Sequence, residues 1–537
     1  MSSDRRLTIA LVCVTVAMAL WPVFVGLPSV QEDGFYYLEI ARNISLGLGS
    51  TFDGSRPTNG YHPLWLLCLL PIVSVISDDT TVLLLVALLQ AALVATAAAC
   101  LFRTARRLTG AAAAATATLC WMLLTRPWWL EGLEFALQCG LLSLAFFLFV
   151  RDFTAPDGLR LPAESRPYGI LGSILALCFL ARLDAGLVAA VLGVVLALVA
   201  LRRGELWRHV GRLALFALPI TVAGIGYVTV NLRFFGHAMP VSGAVKRSWS
   251  AELLAAQPFF QENGWLMEKL WSALRPLAVG WGGGSLRPLA FSLTATGIWV
   301  LIVGGRRWLR RSSGDEARDG DGSAWARLQP WLVISIGSYL MYVVTFHRGL
   351  GLAPRYFVVQ PLLASLIVGL GTEALGRRRG RRAGWSVATL SLCLLIGATA
   401  RDVNIRLASP EPPLHRAAAW SAEHLPRDAR IGSFNAGALG FPSGRTVVNL
   451  DGLVNSWRFF LEERHDMCGF LGQDRITHVV DLFHGTDEEK IRPMLPIPLE
   501  LGCTKDWQLL WIDRGDAETW SVRAYGLPVS GPAGGTD

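Results

Sequence analysis

The sequence predicts an all-α polytopic membrane bundle of about eleven spans, followed by a small extracytoplasmic α/β domain. Three observations predict it. The 537 residues are 52% hydrophobic and only 17% charged, with a mean hydropathy of +0.42, whereas soluble domains carry about 25% charged residues. Apolar runs near 20 residues recur along the chain, which is the length that crosses a bilayer as a helix. Arginines gather in short stretches between those runs, as they do in cytoplasmic loops. The net charge of +8 therefore belongs to membrane orientation and gives no argument for nucleic acid.

The elements follow in order. MSSDRR is basic and stays inside, and residues 7–27 cross outward as an uncleaved anchor, because the apolar run is long for a signal sequence and no small-x-small cleavage site follows it. Residues 28–62 then form a first outer loop, polar and dense in Gly, Asn, Asp and aromatics. Pro63–Ile76 is too short to span comfortably and reads as an interfacial or re-entrant helix. Spans follow at 80–101, 109–125, 133–150, 169–183, 185–201, 213–232, 286–304, 330–346, 354–375 and 385–400, with a second long outer loop at 233–284. With this choice every dense arginine cluster falls inside. If Pro63–Ile76 spanned, each cluster from Arg103 onward would lie outside, against the charge rule.

Residues 1–400 thus form the membrane domain and residues 401–537 a different material. A Pro-rich start (SPEPPLHR) leads into strand-like runs RIGSFN, RTVVNL, THVVDLF, WQLLWI and WSVRAY, which alternate with helix-like AAAWSAEHL and SWRFFLEER. The tail GPAGGTD reads as disordered. Nine cysteines show no metal spacing. Seven lie in apolar runs as packing residues. Cys468 and Cys503 lie in the polar C-terminal region, where an oxidising compartment leaves a disulfide open.

Topology also sorts the charges. Basic residues on the outer face need a reason. They are Arg42, Arg56, Arg126, Arg182, Arg233, Lys246, Arg247, Arg348 and Arg355. They suit binding of an anionic phosphate at head-group level. The plainer alternative is pairing with acidic lipids or local carboxylates. The acidic residues of this face are Glu32, Asp33, Glu39, Asp53, Glu131, Glu134 and Asp184. Asp33 is placed like the N-cap of a helix over DGFYYLEIARNI. A carboxylate so aimed would take a proton from a hydroxyl, or would only cap. The Glu32–Asp33 pair would also suit a divalent cation. Glu131 and Glu134 read as one turn apart on one helix face. Arg182 and Asp184 sit at the tip of a helical hairpin, where an ion pair is the plainer reading. Pro63 biases His62 toward extended backbone, presenting Asn59, Tyr61 and His62 at the surface. The loop aromatics suit an interfacial belt. GWGGGS, residues 280–285, lacks the Lys and context of a phosphate loop.

An acidic pair after the first span, then FYYLEIARN, a Gly-rich turn and TNGYHPLW entering a short helix, resembles the GT-C superfamily of membrane glycosyltransferases. The likeness is to bacterial members of the mannosyltransferase, aminoarabinose-transferase and arabinofuranosyltransferase type. GLE (132–134), ARLDA (181–185), FGHAMPVSGAVK (235–246), PRY (354–356) and NLDGLVN (449–455) extend it over the whole chain.

The resemblance implies an inverting hexosyl- or pentosyltransferase of the bacterial inner (plasma) membrane. It would use a polyprenyl-phosphate-linked sugar donor and a glycan, lipid or protein acceptor on the extracytoplasmic side. The family's general base maps onto Asp33, with Glu32 beside it. The basic residues Arg182, Lys246, Arg348 and Arg355 would hold the lipid phosphate. Asn59, Tyr61, His62, Glu131, Glu134, Asp184 and Tyr356 would bind substrate. The order here is Glu-Asp where the protein-mannosyltransferase type has Asp-Glu, which leaves open which acid acts. Some relatives need Mg or Mn, so a divalent cation at Glu32 and Asp33 stays open. The alternative is a transporter or flippase for lipid-linked sugar, which would predict mid-membrane charges and a repeat of broken helices. The sequence carries neither.

Overall fold

The computed structural model describes residues 3–26, 30–155, 158–255, 335–338, 356, 358–408, 411–484, 492–493, 503–513 and 520–528. The helices in chain order are α1 (Ser3–Phe24), α2 (Glu32–Ser45), α3 (Pro63–Val75), α4 (Asp79–Leu108), α5 (Ala111–Thr125), α6 (Phe135–Phe153), α7 (Arg166–Ala181), α8 (Ala185–Arg202), α9 (Leu206–Phe235), α10 (Val241–Ala255), α11 (Val359–Arg379) and α12 (Arg381–Ala408). Among the described residues, α1, α4, α6, α8, α9, α11 and α12 are long and apolar enough to cross a membrane. The expected span at 286–304 lies outside the described residues. So does the span at 330–346, apart from a helical stretch at 335–338.

The helices run longer than the apolar stretches alone implied. α4 continues past residue 101 to Leu108 and carries Arg106 and Arg107 in its last turn, where cations complement the helix dipole. α9 extends from Leu206 to Phe235, and its C-cap Gly236 takes φ +74°, a backbone that favours glycine. α12 runs on to Ala408. α3, with Pro63 in its first turn, is 13 residues long and reaches about 20 Å, short of the ~30 Å hydrocarbon core.

α4 packs on α6 and α1, α5 on α11 and α12, and α7 on α9. The core between them holds Phe102, Trp121, Phe135, Phe149 and Phe153, all buried. The outside is apolar too. α9 exposes Leu218, Val222, Ile225 and Phe234 at 55–70%, a surface that fits lipid and not water.

The C-terminal unit holds α13 (Pro413–His424), β1 (Arg430–Ser433), α14 (Ala436–Ser443), β2 (Thr446–Asn449), α15 (Trp457–Leu461), α16 (Met467–Gln473), β3 (His478–His484), β4 (Arg492–Pro493), β5 (Gln508–Asp513) and β6 (Trp520–Gly526). The sheet order is β2-β1-β3-β6-β5, with β4 on β3. β1 pairs parallel with β2 and β3, and the remaining pairs are antiparallel. The β-branched runs read from the sequence supply all five longer strands. Cys468 and Cys503 are disulfide-bonded. They join α16 to the segment before β5.

The unit does not stand apart from the bundle. One core cluster contains Phe35, Tyr36 and Phe52 of the first loop, Trp65 and Leu69 of α3, and Ala436, Leu439, Phe441 and Val447 of the C-terminal unit.

Candidate functional site

α2 begins at Glu32 with Gln31 as its N-cap. Asp33 is therefore in the first turn and not the cap itself, which lies two residues earlier than expected. In that first turn a carboxylate still meets the positive end of the helix. One close approach of two glycines, Gly132 and Gly34, fixes the start of α2. Gly132 has φ +77°, and a Cβ there would sit 3.2 Å from Gly34 Cα. The backbone of the GLE segment thus lies directly on α2. Gln31 donates its N–H to Glu131 O at 3.1 Å. Trp65 Nε1 donates to Gly132 O at 2.7 Å, and Gln90 Nε2 donates to Leu133 O at 2.9 Å.

The two adjacent acids have different surroundings. The Glu32 carboxylate accepts the backbone N–H groups of Gly437 and, at 2.8 Å, Ala438 at the start of α14. It satisfies donors that a helix start leaves open. Burial pushes its pKa up to about 8, with Asp33 and Asp451 adding negative charge. Glu32 and Asp33 are both partly exposed as whole residues. Asp451, in the loop after β2, accepts Leu453 N–H at 2.7 Å and faces the Tyr36 hydroxyl at 3.5 Å. Asn449 Nδ2 donates to the same hydroxyl at 3.3 Å. Asp451 is pushed up to about 7, by burial first and then by the like charge of Asp33, while Lys246 pulls the other way.

A second cluster lies around Glu134. The Tyr37 hydroxyl donates to Glu134 Oε2 at 3.0 Å and accepts His62 N–H at 3.1 Å. Arg182 Nη1 donates to Glu134 Oε1 at 2.8 Å, and Nη2 donates to Asp184 at 2.8 Å. The guanidinium carbon stands 4.9 Å over the Tyr356 ring. His62 Nε2 lies 3.8 Å from Glu134, and burial lowers the His62 pKa. Asp184 and Tyr356 also line a pocket between α6, α8 and α11 with Gln138 and Gln360.

Other candidates turn out to be clasps between parts of the chain. Asn59 is 3% exposed. Its amide donates to Asn231 Oδ1 at 2.6 Å and Met239 O at 3.1 Å, and accepts from Val241 N–H at 3.0 Å and Trp457 Nε1 at 3.1 Å. The first loop, α9, α10 and the C-terminal unit meet at this one side chain. Tyr61 shares a 2.8 Å bond with Ser50 inside the loop.

Among the outer arginines, Arg56 pairs with Glu463 and Asp474, Arg126 with Asp402, and Arg42 with Glu39 and Asp79. Local carboxylates explain those three. Lys246 and Arg247 lie on α10, exposed. Arg348 and Arg355 lie outside the described residues.

Glu131 and Glu134 do not share a helix face. Gly132 turns the chain between them and α6 starts only at Phe135, so Glu131 precedes the helix and Glu134 is its N-cap. Both are buried. Asp451 and Gln90 are the residues that sequence reasoning missed. Gln90 is a lone amide in an apolar run. Asp451 sits in the NLDGLVN stretch, which carried part of the family resemblance but offered no partner for its acid. Among the described residues no group of three or more His, Cys, Asp or Glu is arranged to hold a metal ion.

A family model described as a domain of unknown function, DUF8728, matches residues 401–524. No curated protein sequence matches the chain. Solved structures do. ArnT from Cupriavidus metallidurans in the apo state is 14% identical with a TM-score of 0.58, and its complex with undecaprenyl phosphate is 13% identical with a TM-score of 0.57. Each alignment covers 97% of this chain and 99% of that one. The oligosaccharyltransferase AglB from Archaeoglobus fulgidus, in complex with an inhibitory peptide and a dolichol-phosphate, is 12% identical with a TM-score of 0.53, covering 89% of this chain and 69% of that one. At such identities the likeness is one of fold, and the chain has the fold of the GT-C membrane glycosyltransferases.

Proposed function

We propose that this GT-C-fold chain is a glycosyltransferase that moves a sugar from a polyprenyl-phosphate donor to an acceptor hydroxyl at the extracytoplasmic face, with Asp33 as general base. The observation that carries the reading is the placement of the acid pair. The Glu32 oxygens are spent on the start of α14, and Asp33, similarly exposed on the next residue of the same helix turn, lies beside Tyr36 and Asp451. A fixed carboxylate within reach of a hydroxyl is what proton abstraction requires. The lipid phosphates bound by the fold relatives support a polyprenyl-phosphate donor.

In this mechanism the acceptor hydroxyl gives its proton to Asp33 while the sugar C1–O bond to phosphate breaks through an oxocarbenium-like state. The new C1–O bond forms on the opposite face, so the anomeric centre inverts. The electron pair leaves with the phosphate, which cations stabilise. Lys246 and Arg182 are the described candidates, although Arg182 is already held by Glu134 and Asp184. Arg348 and Arg355 complete the proposed set. A divalent cation at Glu32 and Asp33 finds no fit in the residues described, because both Glu32 oxygens accept backbone N–H groups, and no step is routed through one. The acceptor is a glycan, lipid or protein of the envelope of a bacterial cell.

Glycan analysis of envelopes from cells with and without the protein tests this. Wild type adds a terminal sugar, and Asp33→Asn lowers its amount by at least about 100-fold while the protein persists in the membrane. Near-normal product with Asp33→Asn removes Asp33 from the chemistry.

A further inference from the structure

We infer that Asp451 is an acceptor-positioning residue of the same site, so that the C-terminal unit supplies half of the acceptor pocket and the acceptor is a sugar-bearing molecule. This rests on the glycosyltransferase reading above and names the side of the site that the bundle alone leaves open.

The loop that carries Asp451 is held in place. Asn449 Oδ1 accepts Gly452 N–H at 2.9 Å, and Asn455 Nδ2 donates to Asn449 O at 2.6 Å. Gly452, at φ +87°, brings the loop against α10, where a Cβ would stand 3.2 Å from Val245 Cγ2, one residue before Lys246. On the other flank the loop meets the first outer loop backbone to backbone. A Cβ on Gly60 would lie 2.0 Å from Leu453 O. Between these two contacts Asp451 looks onto Tyr36, one helical turn from Asp33 and Glu32. One carboxyl oxygen accepts Leu453 N–H and the other faces the Tyr36 hydroxyl at 3.5 Å, with the Asn449 side chain bonding the same carboxyl group.

Hydrogen-bonding chemistry assigns the substrate. Asp33 and Asp451 offer carboxyl groups that accept hydrogen from a hydroxyl, while the Glu32 oxygens are taken by the start of α14. Lys246 acts on Asp451 and so marks the edge of this acid group, where the donor phosphate would meet the acceptor. Two carboxylates and a phenol on neighbouring elements suit neighbouring ring hydroxyls, with one given up to Asp33 and the next held by Asp451. A peptide amide offers no such pair. The raised pKa of Asp451 agrees with a group that keeps a hydrogen bond to a neutral partner, but the assignment stands on the geometry.

The test uses the full chain. Cells lacking the protein are complemented with wild type, Asp451→Asn, Asp451→Glu or Asp451→Ser, and their envelope glycans are subjected to linkage analysis. The purified proteins are also tested for thermal stabilisation by undecaprenyl phosphate. Asp451→Asn and Asp451→Ser are expected to yield product lower by at least about tenfold and to keep the wild-type shift with undecaprenyl phosphate. Asp451→Glu recovers part of the product, and the new sugar is found on a sugar hydroxyl. Wild-type product with Asp451→Asn or Asp451→Ser overturns the inference. So does a new linkage to peptide, or loss of the lipid shift in both variants together with product. If wild type itself adds no sugar and is not stabilised by the lipid, the functional reading fails instead.

Discussion

Glu32 and Asp33 are neighbours in sequence and similarly exposed as whole residues, and the Glu32 carboxyl is the one that closes the start of α14. The buried Glu32 carboxyl holds its proton up to about pH 8, against 4.5 when exposed. Between those values the folded chain binds a proton that the unfolded chain has released. This contribution to stability is therefore fully present below about pH 4.5 and declines as pH rises toward 8. The unfolding midpoint of the purified protein is expected to fall from pH 5.5 to pH 8.5, and Glu32→Gln, which has no proton to lose, flattens that slope. A thermal-shift series at both pH values checks it, and an unchanged slope in the variant would remove Glu32 from the cause. At this scale the sequence was a partial guide. It singled out the acid pair but not that Glu32 caps a distant helix, because its donors, Gly437 and Ala438, lie 405 and 406 residues away. The spacing of Glu131 and Glu134 misled for a local reason, since Gly132 at φ +77° turns the chain ahead of α6, which starts only at Phe135.

Elements were more legible than their meetings. The seven long helices, the short α3 and the strands of the sheet follow from periodicity and run length, signals that live within a dozen residues, while the expected spans at 109–125 and 169–183 come out as α5 and α7, helices of 15 and 16 residues. Docking of the first loop on the C-terminal unit does not, since it depends on small residues where two backbones touch. Gly60 is the sharpest case. Its missing Cβ is what allows Leu453 O to approach, and Asn59 beside it ties four segments together. Gly60→Ala is expected to cost about 2 kcal/mol or more, as overpacking against rigid backbone does, and to loosen the loop. Limited proteolysis should then cut between residues 46 and 57 well before it does in wild type. Arg56 and its two carboxylates would still hold the far end of that loop.

For the whole molecule, orientation is the premise of the chemistry. The Arg-rich ends of α4 and α11 stand for one face, and the first loop with its C-terminal cover stands for the other. In a background with the exposed Cys13 and Cys393 changed to Ser, a cysteine at the exposed Ser55 should react with a membrane-impermeant maleimide in intact cells. A cysteine at Arg378 should react only after permeabilisation. The reverse pattern would put the acids in the cytoplasm and end the proposed use of an extracytoplasmic lipid-linked donor. The Cys468–Cys503 bond agrees with the outward placement of the C-terminal unit, since such bonds persist in oxidising compartments. Cysteine count alone left that pairing open, and the fold of α16 and its neighbours closed it.

The contact between Glu32 and Gly437 also sets a clock on biogenesis. Its partners are 405 residues apart, so at ribosomal speeds of roughly 5–20 residues per second the loop emerges on the order of 20–80 s before the helix it must cap. During that interval the nascent bundle presents an unclosed acidic mouth. The site is therefore expected to close only once the C-terminal unit has emerged, and a chaperone that shelters a membrane protein's first loop would find its client here.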